Sequence, residues 1–533
     1  MVFISYSSKD IDNVRILAKF VETTGKKCWY SDRDLDKSKK DWMDLLMKAI
    51  KESNFVLLYL TKNTIESGEV KNEISNASAE GKNVIPYIAE NIKMPESYMY
   101  LIRKYEWINA FTMSKSSALE ILRQRLLENV NEIRANFWNT LQKKEYNKFV
   151  HVVLAKYYGK SFFSVINNQE YGVYCVPARM SHSVKDINAF DELCDYENSE
   201  LSDFEIDSHQ TYNQNKWYAE YSNILDGKIR FPDRPGYMLD EITTDDEGYF
   251  DKLRVHIGTF AENVYSTHIL EYELYKAFLE FKDNNLDNPE IWRRLKEFLQ
   301  IRNKMHQDAS DSTVGNIEDS MRHSLLKGVG RDSLLSVQML VVVKSRRTHD
   351  YEVKIIQRSN DVVIKPGIYQ FIPSGGFEIL NDSDDNVYDD LELVENFSPG
   401  CAIFREYLEE LFNVPEFEGG GTGSIEERLL KDPRITTIER MLKEGKAELQ
   451  FLGSVIDLAG LRHELSFVLV IHDETYSETQ FLANEESKKG AIYNIPIQQF
   501  NKNVAIWKKL HGPSAAMWYL FQHTSLFESL LNR

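Results

Sequence analysis

Val2-Phe3-Ile4-Ser5-Tyr6-Ser7-Ser8-Lys9-Asp10 decides how the chain is read. An apolar strand runs straight into a polar turn, placing hydroxyl, ring and charged groups at the C-terminal end of a first strand. In an open parallel sheet that end is where small molecules bind. Outward from it, strand-like and helix-like stretches alternate. Ile11–Val21 carries apolar residues at helical spacing, and Cys28-Trp29-Tyr30 reads as a short strand. Trp42–Ser53 reads as an amphipathic helix with Trp42, Leu45, Leu46, Ala49 and Ile50 inward. Phe55–Leu60 is nearly all apolar, as a strand covered on both faces should be. A helix near Val70–Ala79, a strand Val84–Ile88, an edge strand at Trp107-Ile108 and a closing helix Ser117–Ile133 complete the series. This alternation predicts an α/β fold with a parallel sheet and right-handed crossovers.

At 533 residues the chain exceeds one core, and two to four domains are expected. A net charge of −18 argues against general nucleic-acid binding, which needs a basic footprint. Cys28, Cys175, Cys194 and Cys401 form no CxxC pair, so neither a disulfide framework nor a zinc knuckle is indicated. No basic and apolar leader and no run of 18 apolar residues is present, so no membrane segment and a cytoplasmic location are expected.

After the first domain, 1–132, the pattern turns to mixed α+β over 133–332, a middle domain of regulatory or linking character. Asp195–Gln214 and Asp240–Tyr249 read there as exposed acidic loops. His268–Lys282 and Ile291–Met305 read as two helices around the breaker Asp283–Pro289. From 333 to 533 strand character returns in two pairs, Ser336–Val343 with Tyr351–Arg358 and Glu448–Ile456 with Glu464–Ile471. A tail helix over Pro513–Leu531 follows.

The opening strand and turn, the Asp/Arg-rich loop Ser31–Lys40, the Trp42 helix and Ser67-Gly68-Glu69-Val70-Lys71-Asn72-Glu73 together resemble Toll/interleukin-1 receptor (TIR) domains over about residues 1–130. The resemblance implies a flavodoxin-like parallel-sheet fold. In enzymatic members a glutamate six residues after a serine splits NAD, and Glu73 stands so relative to Ser67. Midway between them, where many such members carry tryptophan, this chain has Glu69. The chemistry suits a carboxylate, because breaking the ribose–nicotinamide bond passes through an oxocarbenium-like state that a negative charge stabilises. Ser5, Tyr6 and Ser7 would face Glu73, Phe3, Tyr6 and Trp42 would sandwich a flat base, and Arg33 would meet a phosphate. NAD is then the substrate, and no cofactor is required. The simpler reading is a domain that only mediates TIR–TIR contacts, with Glu73 a solvated helix residue.

Further on, Phe371-Ile372-Pro373-Ser374-Gly375-Gly376-Phe377-Glu378 precedes Arg405-Glu406-Tyr407-Leu408-Glu409-Glu410-Leu411. On a helix, Glu406, Glu409 and Glu410 share one face. Such carboxylates either form a solvated acidic surface or gather a cation, in which case Mg²⁺ would bridge them to substrate phosphates and Arg405 would anchor one of them. The Gly-Gly turn and the Arg-Glu-x-x-Glu-Glu run are similar to the Nudix box, implying an α/β/α Nudix-like domain. Between turn and helix lies an acidic insertion, Asn381–Glu395, and the position of the helix-ending glycine holds Phe412-Asn413. Arg302-Asn303 with His306 also resembles the Arg-Asn…His pair of HEPN-type ribonucleases at a shorter spacing, against the simpler reading of a helix C-terminal basic cluster.

Together these resemblances imply a TIR-type NAD⁺ glycohydrolase releasing nicotinamide and linear or cyclic ADP-ribose, of the kind found in bacterial antiviral defence. It would self-associate through TIR–TIR contacts and be released when the Nudix-like part senses a nucleotide or phage-derived activator. The alternative is a Nudix pyrophosphohydrolase for which the TIR domain is an assembly module.

Overall fold

A computed structural model describes residues 1–23, 26–35, 42–53, 55–80, 82–103, 105, 107–127, 130–179, 183–195, 217–225, 235–308, 317–358, 367–379, 397–414, 425–482 and 487–532. The loop 36–40, most of the acidic stretch 195–214 and the insertion 381–395 lie outside them. The chain divides into two compact units, Met1–Phe137 with Ala219–Arg230, and Trp138–Tyr218 with Phe231–Arg533.

In the first unit, β1 (Val2–Ser5), β2 (Cys28–Trp29), β3 (Phe55–Leu60) and β4 (Asn83–Ile88) form a sheet of order β2-β1-β3-β4, parallel throughout. The expected edge strand at Trp107-Ile108 is reduced to one bridge, Ile108 to Tyr87. Helix α1 (Ile11–Thr23) packs one face and α2 (Trp42–Glu52) and α3 (Gly68–Ala79) the other. Strand alternation sorts the side chains, so Val2 and Ile4 join Val14 and Leu17, whereas Phe3 joins Ile50, Val70 and Ile74. The closing helix α4 runs Lys115–Leu127, and Val130–Leu141 is also helical, with 128–129 outside the described residues.

The second unit is built on an eight-stranded sheet among the described residues. Its strands are β5 (Val173–Pro177), β8 (Ser336–Lys344), β9 (Tyr351–Arg358), β10 (Tyr369–Phe371), β11 (Ser374–Gly376), β12 (Ala447–Asp457), β13 (Arg462–Ile471) and β14 (Ser487–Pro496). Between them in sequence, β6 (Pro235–Thr244) and β7 (Phe250–Thr259) form a separate hairpin. The path is β10-β9-β8-β13-β12-β5, with β11 beside β8 and β14 beside β9, and β8–β13 is the parallel pair. Both expected strand pairs are antiparallel neighbours. The outer strand β5 comes from the stretch read as a middle domain and pairs Val173 with Asp457 through Pro177 with Gly453.

One sheet face is closed by α10 (Gly512–Gln522) and α11 (Ser525–Leu531), which bring Trp518, Phe521 and Phe527 onto Leu340, Val342, Val353, Val468 and Val470. These two helices stand where the sequence suggested one, since Thr524 caps the second by accepting from the Phe527 amide. The predicted helix Ile291–Met305 is likewise divided at Leu299, with Pro289–Phe298 on one side and Gln300–Asp308 on the other. The stretch Asp240–Tyr249, expected as a loop, supplies the end of β6 and the hairpin turn, in which Asp245 accepts from the amides of Glu247 and Tyr249.

His463 on β13 is fully enclosed, Nε2 meeting Leu325 O at 2.9 Å and Nδ1 meeting Ser333 Oγ at 3.3 Å. Burial first, and the nearby Arg331 charge second, pull its pKa down to about 3. The unfolded chain therefore binds the extra proton between about pH 6.5 and 3, so stability is lost as pH falls through that window and is unaffected above it. Urea midpoints at pH 7, 6 and 5 should show a shallower acid loss in His463→Asn than in the parent, by on the order of 1 kcal/mol per pH unit.

Candidate active site

The C-terminal ends of β1 and β3 are tied together by buried polar contacts. Asp10, 7% exposed, accepts from Thr61 Oγ1 at 2.6 Å and from Asn63 Nδ2 at 2.8 Å. Thr61 also caps the short helix Lys62–Ile65. Tyr98 donates to Thr64 O at 2.7 Å, holding the turn that leads into α3. Ser67 is the N-cap of α3, accepting from the Val70 amide at 3.4 Å.

Against this rigid frame, the buried Ser5 hydroxyl donates to Glu73 Oε2 at 2.6 Å. The serine ends β1 and the glutamate sits in the second turn of α3, 68 residues away in sequence. Burial first and the Glu73 charge second push the Tyr98 phenol up to about 12.

The other expected contacts are distributed differently. Phe3 is 1% exposed and stacks on Trp29, centroids 4.9 Å apart, within the core. Tyr6 is buried, and its phenolic oxygen accepts from Ser31 Oγ at 3.2 Å and the Asp32 amide at 3.1 Å, fixing the loop after β2. Ser7 is buried at the start of the turn Ser8–Asp10. Arg33 is bound to Asp34, to Glu22 at 2.6 Å and to Cys28 O, and lies over the Tyr30 ring. Those carboxylates hold its guanidinium charged and neutralise it locally. Trp42 is half-buried on the α2 face of the core. Ser5 and Glu73 are thus the expected pair brought into direct contact. Asp10 and Tyr98 hold the loops around it, and the sequence marked Asp10 only as the last residue of the opening turn.

In the second unit, α9 (Pro399–Phe412) carries the acidic run, capped by Ser398. Arg405 is buried and gives Nη2 to Glu406 Oε1 at 2.8 Å and to Gly376 O at 3.1 Å, with Glu409 at 3.9 Å. Glu410 Oε2 accepts from the Ser374 amide at 2.7 Å. A Cβ on Gly375 would fall 2.1 Å from Glu406 Cδ, so the glycine is what lets this carboxylate lie against β11. Arg405 is the anchor that the sequence suggested. Among the described residues, however, no three acidic, histidine or cysteine side chains converge as a metal ion would require. As arranged, Glu406 and Glu410 are turned to protein donors.

Asn413 ends α9 in the left-handed region, φ 50° and ψ 38°, with its amide on Leu408 O. The missing glycine is therefore replaced in function, because asparagine tolerates this conformation better than other side chains. Asn413→Ala should lower stability by about 1 kcal/mol, whereas Asn413→Gly should leave it within about 0.5 kcal/mol in urea denaturation.

Residues 2–126 match the family model for the TIR domain. The N-terminal part of the chain is thus a TIR domain, with the parallel sheet expected of one. No curated protein matches the chain significantly. Among solved structures, it is similar to the TIR domain of the Toll-related receptor TRR-2 from Hydra magnipapillata, at 16% identity over 24% of this chain and 98% of that one, TM-score 0.21. It is also similar to the NUDIX domain of Shewanella oneidensis NrtR complexed with ADP ribose, at 13% identity over 36% of this chain and 88% of that one, TM-score 0.20. A third is a MutT/nudix family protein from Enterococcus faecalis, at 15% identity over 41% of this chain and 54% of that one, TM-score 0.17. Among the described residues no helix is long and apolar enough to cross a membrane.

Proposed function

We propose that the TIR domain is an NAD⁺ glycohydrolase in which Glu73 is the catalytic carboxylate. The observation that carries this reading is the 2.6 Å contact from Ser5 Oγ to Glu73 Oε2 at the C-terminal ends of the strands, where open parallel sheets bind ligands. The hydroxyl orients the carboxylate at the place where the ribose would lie. There it binds sugar hydroxyls and stabilises positive charge building at C1′ as nicotinamide departs neutral. Water then captures C1′ to give ADP-ribose, or an adenine nitrogen of the same molecule does so to give the cyclic product.

On this reading the second unit restrains the enzyme until it meets a nucleotide or phage-derived activator. Head-to-tail TIR packing then assembles the active form, and depletion of NAD⁺ halts a bacterial host under viral attack. The Nudix-like module serves as the sensor, a role supported by carboxylates turned to Arg405 and Ser374.

The test is nicotinamide release from NAD⁺ by the purified full-length chain over a hundredfold range of protein concentration. Turnover per chain is expected to rise with concentration, because mass action drives the same TIR association that the activator otherwise releases. Intact NAD⁺ at every concentration, with the assembled oligomer demonstrated by light scattering, would sink the proposal.

A further inference from the structure

Arg331 lies in the turn between α8 (Ile317–Leu326; α5 is Lys144–Tyr158, α6 is Ile269–Phe281 and α7 is Gln300–Asp308) and β8. It is 4% exposed, and among the described residues none of its three guanidinium nitrogens meets an acceptor. Among the ionisable groups that feel its charge are Tyr158 on α5, Arg302 and His306 on α7, and His463 on β13. None of the four is an anion.

The surrounding hydrogen bonds run in a single sense. Arg302, fully buried, gives Nη1 to Tyr158 Oη at 2.6 Å and to Leu458 O at 2.8 Å, and Nη2 to Ala459 O. Tyr158 Oη meets His306 Nε2 at 2.9 Å, His306 Nδ1 meets Ser324 Oγ at 2.6 Å, and Ser324 donates to Met321 O. With each link supplying one proton, His306 is the neutral Nδ1–H tautomer, a state that burial beside two arginines also favours. Arg302 stands near the start of α7 and His306 in its last turn, and the two are joined through Tyr158 in one buried network.

The nearby carboxylates are engaged elsewhere. Glu273 on α6 receives the backbone amides of Ile301 at 2.7 Å and Arg302 at 3.3 Å, and Asp332 meets His256 Nε2 at 3.3 Å. Two arginines are therefore enclosed with a neutral histidine pair, and Arg302 Nε is a further donor without an acceptor.

A buried guanidinium without a partner is strongly unfavourable, and its planar fork of donors matches an oxyanion. We propose that Arg331 anchors a buried oxyanion site in the second unit, taking a phosphate group, with Arg302 as the neighbouring donor. The ligand is either free inorganic phosphate or a phosphate of a nucleotide, and the proposal stands independently of NAD⁺ cleavage by the TIR domain.

Thermal unfolding of the full-length chain in phosphate-free buffer tests this, with inorganic phosphate, ADP-ribose and equimolar chloride as additions. At a hundredfold excess over Kd, the bound anion should raise Tm by on the order of 4 °C. Arg331→Met should lose that rise yet be no less stable than the parent when no anion is added, since the unpaired charge is gone. Arg331→Lys keeps the charge without the fork and should weaken binding about tenfold, which serves if the methionine variant does not fold. A response to phosphate alone identifies the free ion, and a response to ADP-ribose at lower concentration identifies a nucleotide phosphate. Equal responses in the parent and the variants, or no response to either anion, would overturn the proposal.

Discussion

Glu73→Gln should reduce nicotinamide release at least about a hundredfold while leaving Tm within about 1 °C of the parent. On the proposed mechanism the rate loss follows from removing the charge that would face the oxocarbenium-like centre, since one electrostatic contact at a transition state contributes about 3–4 kcal/mol. The stability should hold because Glu73 is half-buried and glutamine preserves its volume and an acceptor for Ser5. Ser5→Ala is the informative companion. It keeps the carboxylate but frees its orientation, so a smaller loss, about tenfold, is expected by the same nicotinamide assay. Equal losses in both variants would make the pair a folding element of β1 and α3 rather than a working site.

The largest effect on stability is expected at Gly453. Its φ of +123° is unfavourable for any other residue, and a Cβ there would fall 2.2 Å from Val176 O and 2.8 Å from Ala178 N. Both obstacles are backbone, so no side chain can swing away. The residue sits at a register shift of β12 against β13 and pairs with Pro177 of β5. Gly453→Ala should therefore cost about 3–5 kcal/mol, combining overpacking with backbone strain. Urea denaturation of the full-length chain would register it as a lower midpoint for the second unit. Unchanged midpoints would mean that β5 can leave the sheet without loss.

The sequence made the first unit legible because local and tertiary signals agree there. Phe55–Leu60 is apolar at every position, and all six residues are buried, since helices cover both faces of that strand. The Ser67–Glu73 spacing likewise pointed to α3, although nothing local could show that Ser5 reaches across to Glu73. Aromatic residues were harder to place. Phe3 could have faced a ligand or the core, and the alternation of a doubly covered sheet sends it inward onto Trp29.

The second unit hid its hairpin because Asp240, Glu241 and Asp245 gave β6 a loop-like composition. In the structure, one register shift passes over Asp240, Asp245 lies in the turn, and Leu239 and Ile242 are buried. Similarly, nothing in Val173–Pro177 announces pairing with residues 453–457. That contact begins at Gly453, and a glycine within a strand pattern suggests a bulge without naming its partner. The box helix was found from its acidic run, but only the structure shows Asn413 taking over the left-handed cap.

The pairing of Pro177 with Gly453 also sets a schedule for biosynthesis. At roughly 5–20 residues per second, β5 waits on the order of tens of seconds for its neighbour to leave the ribosome. The four strands of the TIR sheet, by contrast, have all been made by Ile88. The front unit can therefore complete its sheet during translation, well before the rear unit has the strands it needs. Each newly made chain would pass through an interval with a completed parallel sheet in front and a rear sheet still lacking its partner strands.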